Sequence, residues 1–350
     1  MPGTNPAEAM RVVAGELPDF PYLPELPDRG AGADLTGRTA ALLVDIPVEV
    51  TPRGWRIAEH PGRDLARARS MLSSDLDVME EVLDGFAGPV KIQLCGPWTL
   101  AATLELPRTL NVAVADPGAV ADLTASLAEG AAAHAAEVAK RLPGARIVVQ
   151  FDEPALAAVA GGEVPTASGM SRLRAVEAEV LRERLAQVIA GTGKYTVVHS
   201  CSAGVPFGII AAAGSDAVSF DLSQLRRGEE DAVAELVEAG MGLLAGAVPV
   251  SGPVPDPDAN ARPGGQARAG ARNQGAPGDG SAEARQAAER VIRLWRRLGL
   301  AVEACPDQAV VTPACGLAGV SPDQARAVLT RCREAGSMLA ELIEETGGES

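Results

Sequence analysis

Short apolar runs alternate with longer stretches of helical character along this chain. The runs that predict strands are residues 41–47, 90–95, 145–151, 195–200, 217–222, 242–248 and 309–314. The stretches that predict helices are residues 63–84, 117–141, 170–190, 204–213, 228–239, 282–298 and 321–345. This alternation is typical of parallel strands joined by crossover helices. Seven strand candidates, each followed by a helix or a loop, predict an α/β fold of the (β/α)8 TIM-barrel type, with functional residues at the carboxyl ends of the strands.

The N-terminal region departs from this alternation. Residues 16–38 are rich in proline, glycine and charge, which predicts an extended lead-in. Residues 43–58 predict a hairpin with Thr51-Pro52-Arg53-Gly54 as its turn, so residues 1–60 form a lead-in and a hairpin. Met1-Pro2-Gly3 leads directly into helix-like sequence, whereas a barrel normally opens with a strand. We therefore expect the barrel to lack its first strand.

A second departure lies late in the chain. Residues 251–281 are rich in proline and glycine and contain almost no large apolar side chains, which predicts a flexible insertion between a strand and the next helix. The insertion is either a lid or a tolerated surface loop. No other segment separates the chain into parts, so residues 1–350 are expected to form a single barrel domain.

Composition limits the classes of partner. The formal net charge of −15 argues against a nucleic-acid surface and against binding to anionic membranes. No run of about 18 apolar residues predicts a membrane span, and the first 20 residues do not resemble an export signal. Five cysteines at irregular spacing do not form a secreted disulfide pattern. A cytoplasmic location with reduced thiols is the expectation.

Three side chains at the ends of two predicted strands suggest a metal site. His199 and Cys201 are two residues apart in a strand, so both side chains point to the same side. Cys315 follows another strand and can reach the same point. Two sulfur atoms and one nitrogen suit Zn²⁺, and a site with an exchangeable position is catalytic rather than structural. A structural disulfide between Cys201 and Cys315 is the alternative, which a reducing location disfavours.

Acidic residues end two of the predicted strands. Asp152 and Glu153 follow the strand at 145–151 and either cap the next helix or bind a cation, such as the amino group of an amino-acid substrate. Asp221 ends the strand beside that of His199, where it is either a further zinc ligand or a helix cap. Trp98 follows a strand end and either lines a pocket or packs beneath a loop.

The remaining cysteines and histidines are weaker candidates. Cys95, Cys305 and Cys332 look like ordinary buried thiols. His60 and His134 lie in turn and helix contexts and look like surface residues.

Taken together, the motifs resemble a known family. Gln150-Phe151-Asp152-Glu153-Pro154-Ala155-Leu156, His199-Ser200-Cys201 and Cys315-Gly316-Leu317 resemble, in this order and spacing, the catalytic C-terminal barrel of cobalamin-independent methionine synthase. Lys91-Ile92-Gln93-Leu94 and Gly96-Pro97-Trp98-Thr99 look like the segment that precedes the acidic motif in that family. The resemblance covers most of residues 85–335, and the same superfamily holds uroporphyrinogen decarboxylase.

The resemblance implies a site and an activity. Zinc would be held by His199, Cys201, Cys315 and Asp221, with Asp221 in place of the family's Glu, and Asp152 would bind the substrate amino group together with Glu153 and Trp98 nearby. Homocysteine thiol would bind zinc, lose its proton and attack a methyl group, forming methionine. Metal coordination makes a thiol with a pKa of about 8.5 a thiolate near neutral pH.

Departures from the family leave the methyl donor open. The family's separate N-terminal barrel and the Gly-Ser-containing first strand are absent, and its proton-donating His is replaced near Val250-Ser251-Gly252. The donor is therefore either a methyl-folate or a methyl-corrinoid protein. The competing hypotheses are a non-catalytic zinc-binding barrel and a metal-free enzyme similar to uroporphyrinogen decarboxylase.

Overall fold

The N-terminal region forms two helices and a hairpin ahead of the main sheet. The computed structural model describes residues 1–250 and 280–347, with side chains described as far as residue 345. The first elements are α1 (Pro6–Glu16), α2 (Leu35–Ala40), β1 (Val48–Thr51) and β2 (Gly54–Ile57). β1 and β2 pair antiparallel, and Thr51 lies opposite Gly54 at the turn. In this part of the chain no strand precedes α1.

Six parallel strands form the main sheet in the order of the chain. They are β3 (Pro89–Cys95), β4 (Arg146–Asp152), β5 (Tyr195–Ser200), β6 (Ala217–Asp221), β7 (Gly242–Val248) and β8 (Ala309–Pro313). β3 and β8 are the edges, so the described residues form a six-stranded, curled half-barrel. This sheet is consistent with a partial TIM-barrel-like fold and contains six of the seven strands that the sequence predicts. Residues 21–23 run beside the β3 edge, where the Lys91 amide donates to the carbonyl of Pro21 (3.0 Å) and the Leu23 amide donates to the carbonyl of Lys91 (2.9 Å).

Helices connect the strands and cover the convex face. They are α3 (Arg63–Val82), α4 (Pro97–Thr103), α5 (Pro117–Arg141), α6 (Leu156–Ala160), α7 (Ala178–Thr192), α8 (Phe207–Ala212), α9 (Glu230–Glu238), α10 (Gly280–Arg297), α11 (Cys305–Gln308) and α12 (Pro322–Gly347). α12 packs against α10 and α1, and α1 also packs against α3, so the first helix lies between α3 and the last helix. The Asp116 side chain accepts hydrogen bonds from the first turn of α5, as its position before proline predicts. None of the helices in residues 1–250 and 280–347 is long and apolar enough to cross a membrane.

The two faces of the sheet have different surroundings. Val149, Val198 and Val218 belong to the large core shared with the helices. Val148, Val197, Ala217 and Leu244 form a separate cluster with Phe20. Because alternate residues of a strand point to opposite faces, the second cluster marks the concave face, and Asp152, His199 and Ser219 lie on that same face.

Two sequence expectations are corrected by the packing. Residues 41–47 do not form a strand; the Leu42 and Leu43 amides donate instead to the carbonyls of Thr39 (3.0 Å) and Ala40 (3.3 Å), which continues α2 as turns. Ala41 and Leu43 of this run are buried outside the sheet, and the Ser126 hydroxyl of α5 donates to the carbonyl of Val44 (2.7 Å). His134, expected at the surface, is buried because this side of α5 packs inward.

Most of the predicted insertion at 251–281 lies outside the residues that the structure describes. Residues 251–279 lie outside the described residues, and so do Ser251 and Gly252 of the predicted His replacement. Gly280 and Ser281 begin α10 as the structure describes it.

Candidate functional site

Two cysteine thiols meet at the carboxyl ends of β5 and β8. Cys201 follows β5 and is half-buried, while Cys315 follows β8 and is exposed, and the two thiols share a hydrogen bond. That hydrogen bond lowers the pKa of Cys315 to about 6, and it is also the main cause that raises the pKa of Cys201. The pair therefore shares one proton near neutral pH, which leaves one sulfur as a thiolate. A thiolate is the form of cysteine that binds metals and acts as a nucleophile.

His199 supplies a neutral imidazole on the concave face. It stands in register between Asp152 of β4 and Ser219 of β6, and its Nδ1 lies 3.0 Å from the Ser219 hydroxyl. Burial, followed by the positive charge of Lys91, lowers the pKa of His199 to about 4. The ring is therefore neutral at pH 7, which is the form that ligates a metal.

Asp221 ends β6 beside this group. One of its oxygens, Oδ1, accepts a hydrogen bond from the Ser223 amide (2.8 Å) in the turn that follows β6. The next α-helix, α9, begins at Glu230, so this bond caps a turn and not a helix. Its negative charge raises the pKa of both His199 and Cys315, so Asp221 lies close to the other predicted zinc ligands. A carboxylate at this position can hold the turn with one oxygen and leave the other for a cation.

The donor types suit zinc, but the side chains do not form a closed coordination shell. Across residues 1–250 and 280–347, no group of three or more His, Cys, Asp or Glu side chains is close enough to hold a metal ion. The two thiols are in contact, whereas His199 and Asp221 bond to Ser219 and Ser223. Two sulfurs, an imidazole and a carboxylate are donors that Zn²⁺ accepts. A zinc site here would therefore require His199 and Asp221 to turn toward the thiol pair.

Asp152 places a buried carboxylate next to the thiols. It is 9% exposed, and its Oδ1 accepts a hydrogen bond from Gln150 Nε2 (2.7 Å). Burial raises the pKa of Asp152 to about 6, while Lys91 and Gln150 act in the opposite direction. Its charge in turn raises the pKa of Cys201 and Cys315. Asp152 is thus ionised at neutral pH within the electrostatic range of the thiol pair.

Further charges that the sequence analysis missed lie beside Asp152. Lys91 Nζ lies 5.2 Å from the centre of the Tyr22 ring, and the charges of Asp152 and Glu25 oppose the lowering of its pKa by burial. Burial raises the pKa of Glu25, and Arg38 opposes that shift. A signal for Lys91 exists in the sequence, since Lys91 and Gln93 are polar residues at alternate positions of an otherwise apolar strand. Glu25 precedes the sheet in an irregular segment, and no pattern pointed to it.

The side chains of Glu153 and Trp98 form hydrogen bonds with other groups of the protein. Glu153 is fully buried; its Oε1 accepts from the Trp98 amide (2.9 Å), and its Oε2 accepts from the Thr99 amide (2.7 Å) and the Thr99 hydroxyl (2.7 Å). A Cβ on Gly96 would lie 2.4 Å from Glu153 Oε1, so glycine leaves room for this cap of α4. Trp98 is 1% exposed, and its Nε1 donates to the carbonyl of Leu181 (3.0 Å). Both side chains are therefore hydrogen-bonded to other groups of the protein, and a substrate role for either stays a prediction.

Comparisons with known proteins agree with this architecture. A family model described as "Cobalamin-independent synthase, Catalytic domain" matches residues 1–259, a range that includes Asp152, His199, Cys201 and Asp221 but not Cys315. Among solved structures, the chain is similar to a B12-independent methionine synthase from Shewanella sp. W3-18-1, determined in complex with selenomethionine. The TM-score is 0.58 at 12% sequence identity, over 97% of this chain and 89% of that one. At this identity the likeness shows the fold alone. The curated proteins contain no match to this sequence.

Proposed function

Because this chain belongs to the family of the cobalamin-independent synthase catalytic domain, we propose that it is a zinc-dependent methyltransferase that methylates the thiol of homocysteine to form methionine. The observation that carries the proposal is the contact between Cys201 and Cys315, which lie at the ends of two strands separated by β6 and β7. The two cysteines supply two sulfur donors, and Cys315 is a thiolate near pH 7. The His199 imidazole and the Asp221 carboxylate lie beside them.

The residues that would hold zinc are Cys201, Cys315, His199 and Asp221. Bound there, zinc would supply a positive charge that lowers the pKa of a substrate thiol. Cys315 is exposed and Cys201 is half-buried, so a small thiol can approach the pair from solvent.

Asp152 is proposed to bind the amino group of the substrate. Its Oδ1 is held by Gln150, which orients the carboxylate on the concave face. Glu25 is a second carboxyl group near Asp152. The charges of both residues oppose the lowering of the Lys91 pKa by burial, and the charge of Asp152 raises the pKa of Glu25. A substrate ammonium group beside this buried acid would favour its ionised form, as Lys91 and Gln150 do. The site thus favours an amino-acid thiol over a thiol without an amino group.

Methyl transfer itself is the test of the proposal. Zinc-loaded protein is incubated with homocysteine and either a methyl-folate or a methyl-corrinoid protein, and methionine is measured by mass spectrometry. Methionine formed with one donor, and lost in Cys201→Ser, supports the proposal and identifies the donor. No methionine with either donor would contradict it and leave a barrel that binds a metal without catalysis.

The proposed reaction takes place in the cytoplasm. All five cysteines are free thiols, and a reducing compartment keeps them so. Fractionation of cells that produce the protein would test this location.

A further inference from the structure

Lys91 places an ammonium group on the concave face of the sheet, one strand away from Asp152. Lys91 is the partner in register of Val148, which belongs to the concave cluster. Two residues further along β3, Gln93 pairs with Gln150 of β4, and Gln150 Nε2 donates to Asp152 (2.7 Å). Neighbouring strands lie about 4.8 Å apart. Burial shifts the pKa of both Lys91 and Asp152 toward the neutral form, and the charge of each residue opposes that shift in the other.

The amide of Gln93 directs the ammonium group of Lys91 toward the carboxyl end of the sheet. Gln93 Nε2 donates to the carbonyl of Leu23 (2.6 Å), and a carbonyl can only accept, so this bond fixes the orientation of the amide. Gln93 Oε1 then faces Lys91 Nζ at 3.5 Å, and an ammonium group can only donate. Because Gln93 follows Lys91 along β3, the lysine side chain extends toward the strand ends where Asp152 lies.

Lys91 keeps donor capacity for a ligand. An ammonium group has three N–H donors, whereas Lys91 Nζ has one contact at 3.5 Å with Gln93 and lies 5.2 Å from the centre of the Tyr22 ring. Within residues 1–250 and 280–345, the structure pairs no carboxylate with it, while the nearby Arg38 is paired with Asp75 (2.7 Å). Lys91 is also only partly buried. A cation that is neither fully hydrated nor paired favours an anionic group as its ligand.

The order of the polar groups across the sheet matches the order of groups in an amino-acid thiol. Lys91, Asp152 and His199 lie on the neighbouring strands β3, β4 and β5, and Asp152 and His199 are direct partners in register. Homocysteine carries its carboxylate and its ammonium group on one carbon atom and its thiol two carbon atoms further along. With the thiol at the cysteine pair and the ammonium group at Asp152, the carboxylate needs a cation, and Lys91 lies on the opposite side of Asp152 from His199.

We infer that Lys91 binds the carboxylate of the substrate, so that the site selects a zwitterionic amino-acid thiol. The identity of the substrate in this inference rests on the proposed function. The competing role for Lys91 is that of a counter-ion, which would act on the substrate only by keeping Asp152 in place. The two roles differ in one respect: a lysine that binds the carboxylate has no effect on a ligand that lacks this group.

Two thiols and one variant separate these roles. Calorimetry on zinc-loaded protein measures the affinity for homocysteine and for its decarboxylated analogue, an aminopropanethiol that keeps the ammonium group. Wild-type protein should bind homocysteine about 10–100-fold more tightly than the analogue. Lys91→Met should weaken the binding of homocysteine by about the same factor of 10–100 and leave the binding of the analogue unchanged. Lys140→Met is the matched control, because it removes an exposed positive charge from the last turn of α5, and both affinities should stay at wild-type values.

Nuclear magnetic resonance of wild-type protein decides the question even if Lys91→Met fails to fold. The chain contains three lysines, so ¹³C labelling at Cε gives three signals, and Lys140→Met and Lys194→Met identify that of Lys91 by elimination. Homocysteine at saturation should move the Lys91 signal, whereas the aminopropanethiol should leave it nearly in place.

Each remaining outcome overturns either the inference or the proposed function. Equal losses of affinity for both thiols in Lys91→Met, or wild-type protein that binds both thiols equally well, would overturn the inference and leave methyl transfer untouched. Protein that binds homocysteine through Lys91 but forms no methionine with either donor would contradict the proposed function and leave the role of Lys91 in place. Protein that binds neither thiol would overturn both.

Discussion

The thiols of Cys201 and Cys315 share a hydrogen bond although one follows β5 and the other follows β8. The curl of the sheet brings these strand ends together across β6 and β7. Two thiols in contact hold one proton between them, so the second sulfur is a thiolate at a pH where an isolated cysteine is not. This pair supplies both sulfur donors of the proposed zinc site.

Serine at either position of the thiol pair should abolish tight zinc binding. Cys201→Ser and Cys315→Ser each remove one of two sulfur donors, so bound zinc should fall from about one per chain to a small fraction of that. Elemental analysis after dialysis measures the change. Cys332→Ser is the control, since Cys332 is a buried thiol of α12 that takes no part in the pair. Full zinc in both site variants would refute the ligand set.

Asparagine at position 152 should weaken substrate binding but leave zinc in place. Asp152→Asn keeps the shape of the side chain and removes its charge, and a hydrogen bond to a charged group contributes about 1.5–3 kcal/mol. The dissociation constant for homocysteine, measured by calorimetry, should therefore rise by about 10–100-fold. Asp216→Asn serves as the control, because Asp216 bonds to the Thr196 amide (2.7 Å) at the start of β6, away from the site. An unchanged affinity in Asp152→Asn would remove Asp152 from the substrate site.

Glu153 should matter for stability rather than for substrate binding. Glu153→Gln replaces an acceptor oxygen by an NH₂ group that faces an N–H donor of α4, so the free energy of unfolding should fall by about 1–3 kcal/mol. Urea unfolding measures this loss, and zinc content and homocysteine affinity should stay at wild-type values. A variant with normal stability and lost homocysteine binding would restore the substrate role that the sequence suggested.

Stability should fall in mild acid because of His134. Burial, followed by the charge of Arg38, lowers the pKa of His134 to about 4, whereas the unfolded chain binds this proton near its ordinary pKa of 6.5. The unfolded state therefore takes up the proton first, and stability is lost as the pH falls from 6.5 toward 4. Between pH 7 and pH 5 this group should cost about 2 kcal/mol. His134→Gln lacks this proton, so urea unfolding at both pH values should show a smaller loss in the variant. Equal losses in the two proteins would contradict the burial of a neutral His134.

The strands of the sheet could be predicted from the sequence because each is a short apolar run bounded by turns. The run at 145–151 lies within one residue of β4. Cys315 was expected to reach the point where His199 and Cys201 lie, and its thiol lies beside that of Cys201. The run at 41–47 is also largely apolar, but it forms turns after α2 in which Ala41 and Leu43 are buried, and periodicity cannot distinguish the two kinds of burial.

The roles of adjacent residues were harder to predict. Asp152 and Glu153 look equivalent in the sequence, yet successive side chains at a strand end point to opposite sides. Asp152 therefore faces the concave surface, while Glu153 turns to the N–H groups of α4. Ser219 was missed for another reason: a lone serine in an apolar run carries no signal until its neighbour on the next strand is known to be His199.

Zinc-edge X-ray absorption of the purified protein, together with its zinc content, shows whether this site binds both zinc and a substrate thiol. We expect about one zinc per chain with two sulfur neighbours, and a third sulfur when homocysteine is added. Protein that takes up no zinc after reconstitution, or whose zinc gains no sulfur from homocysteine, would contradict the proposal that this site activates a thiol for methyl transfer.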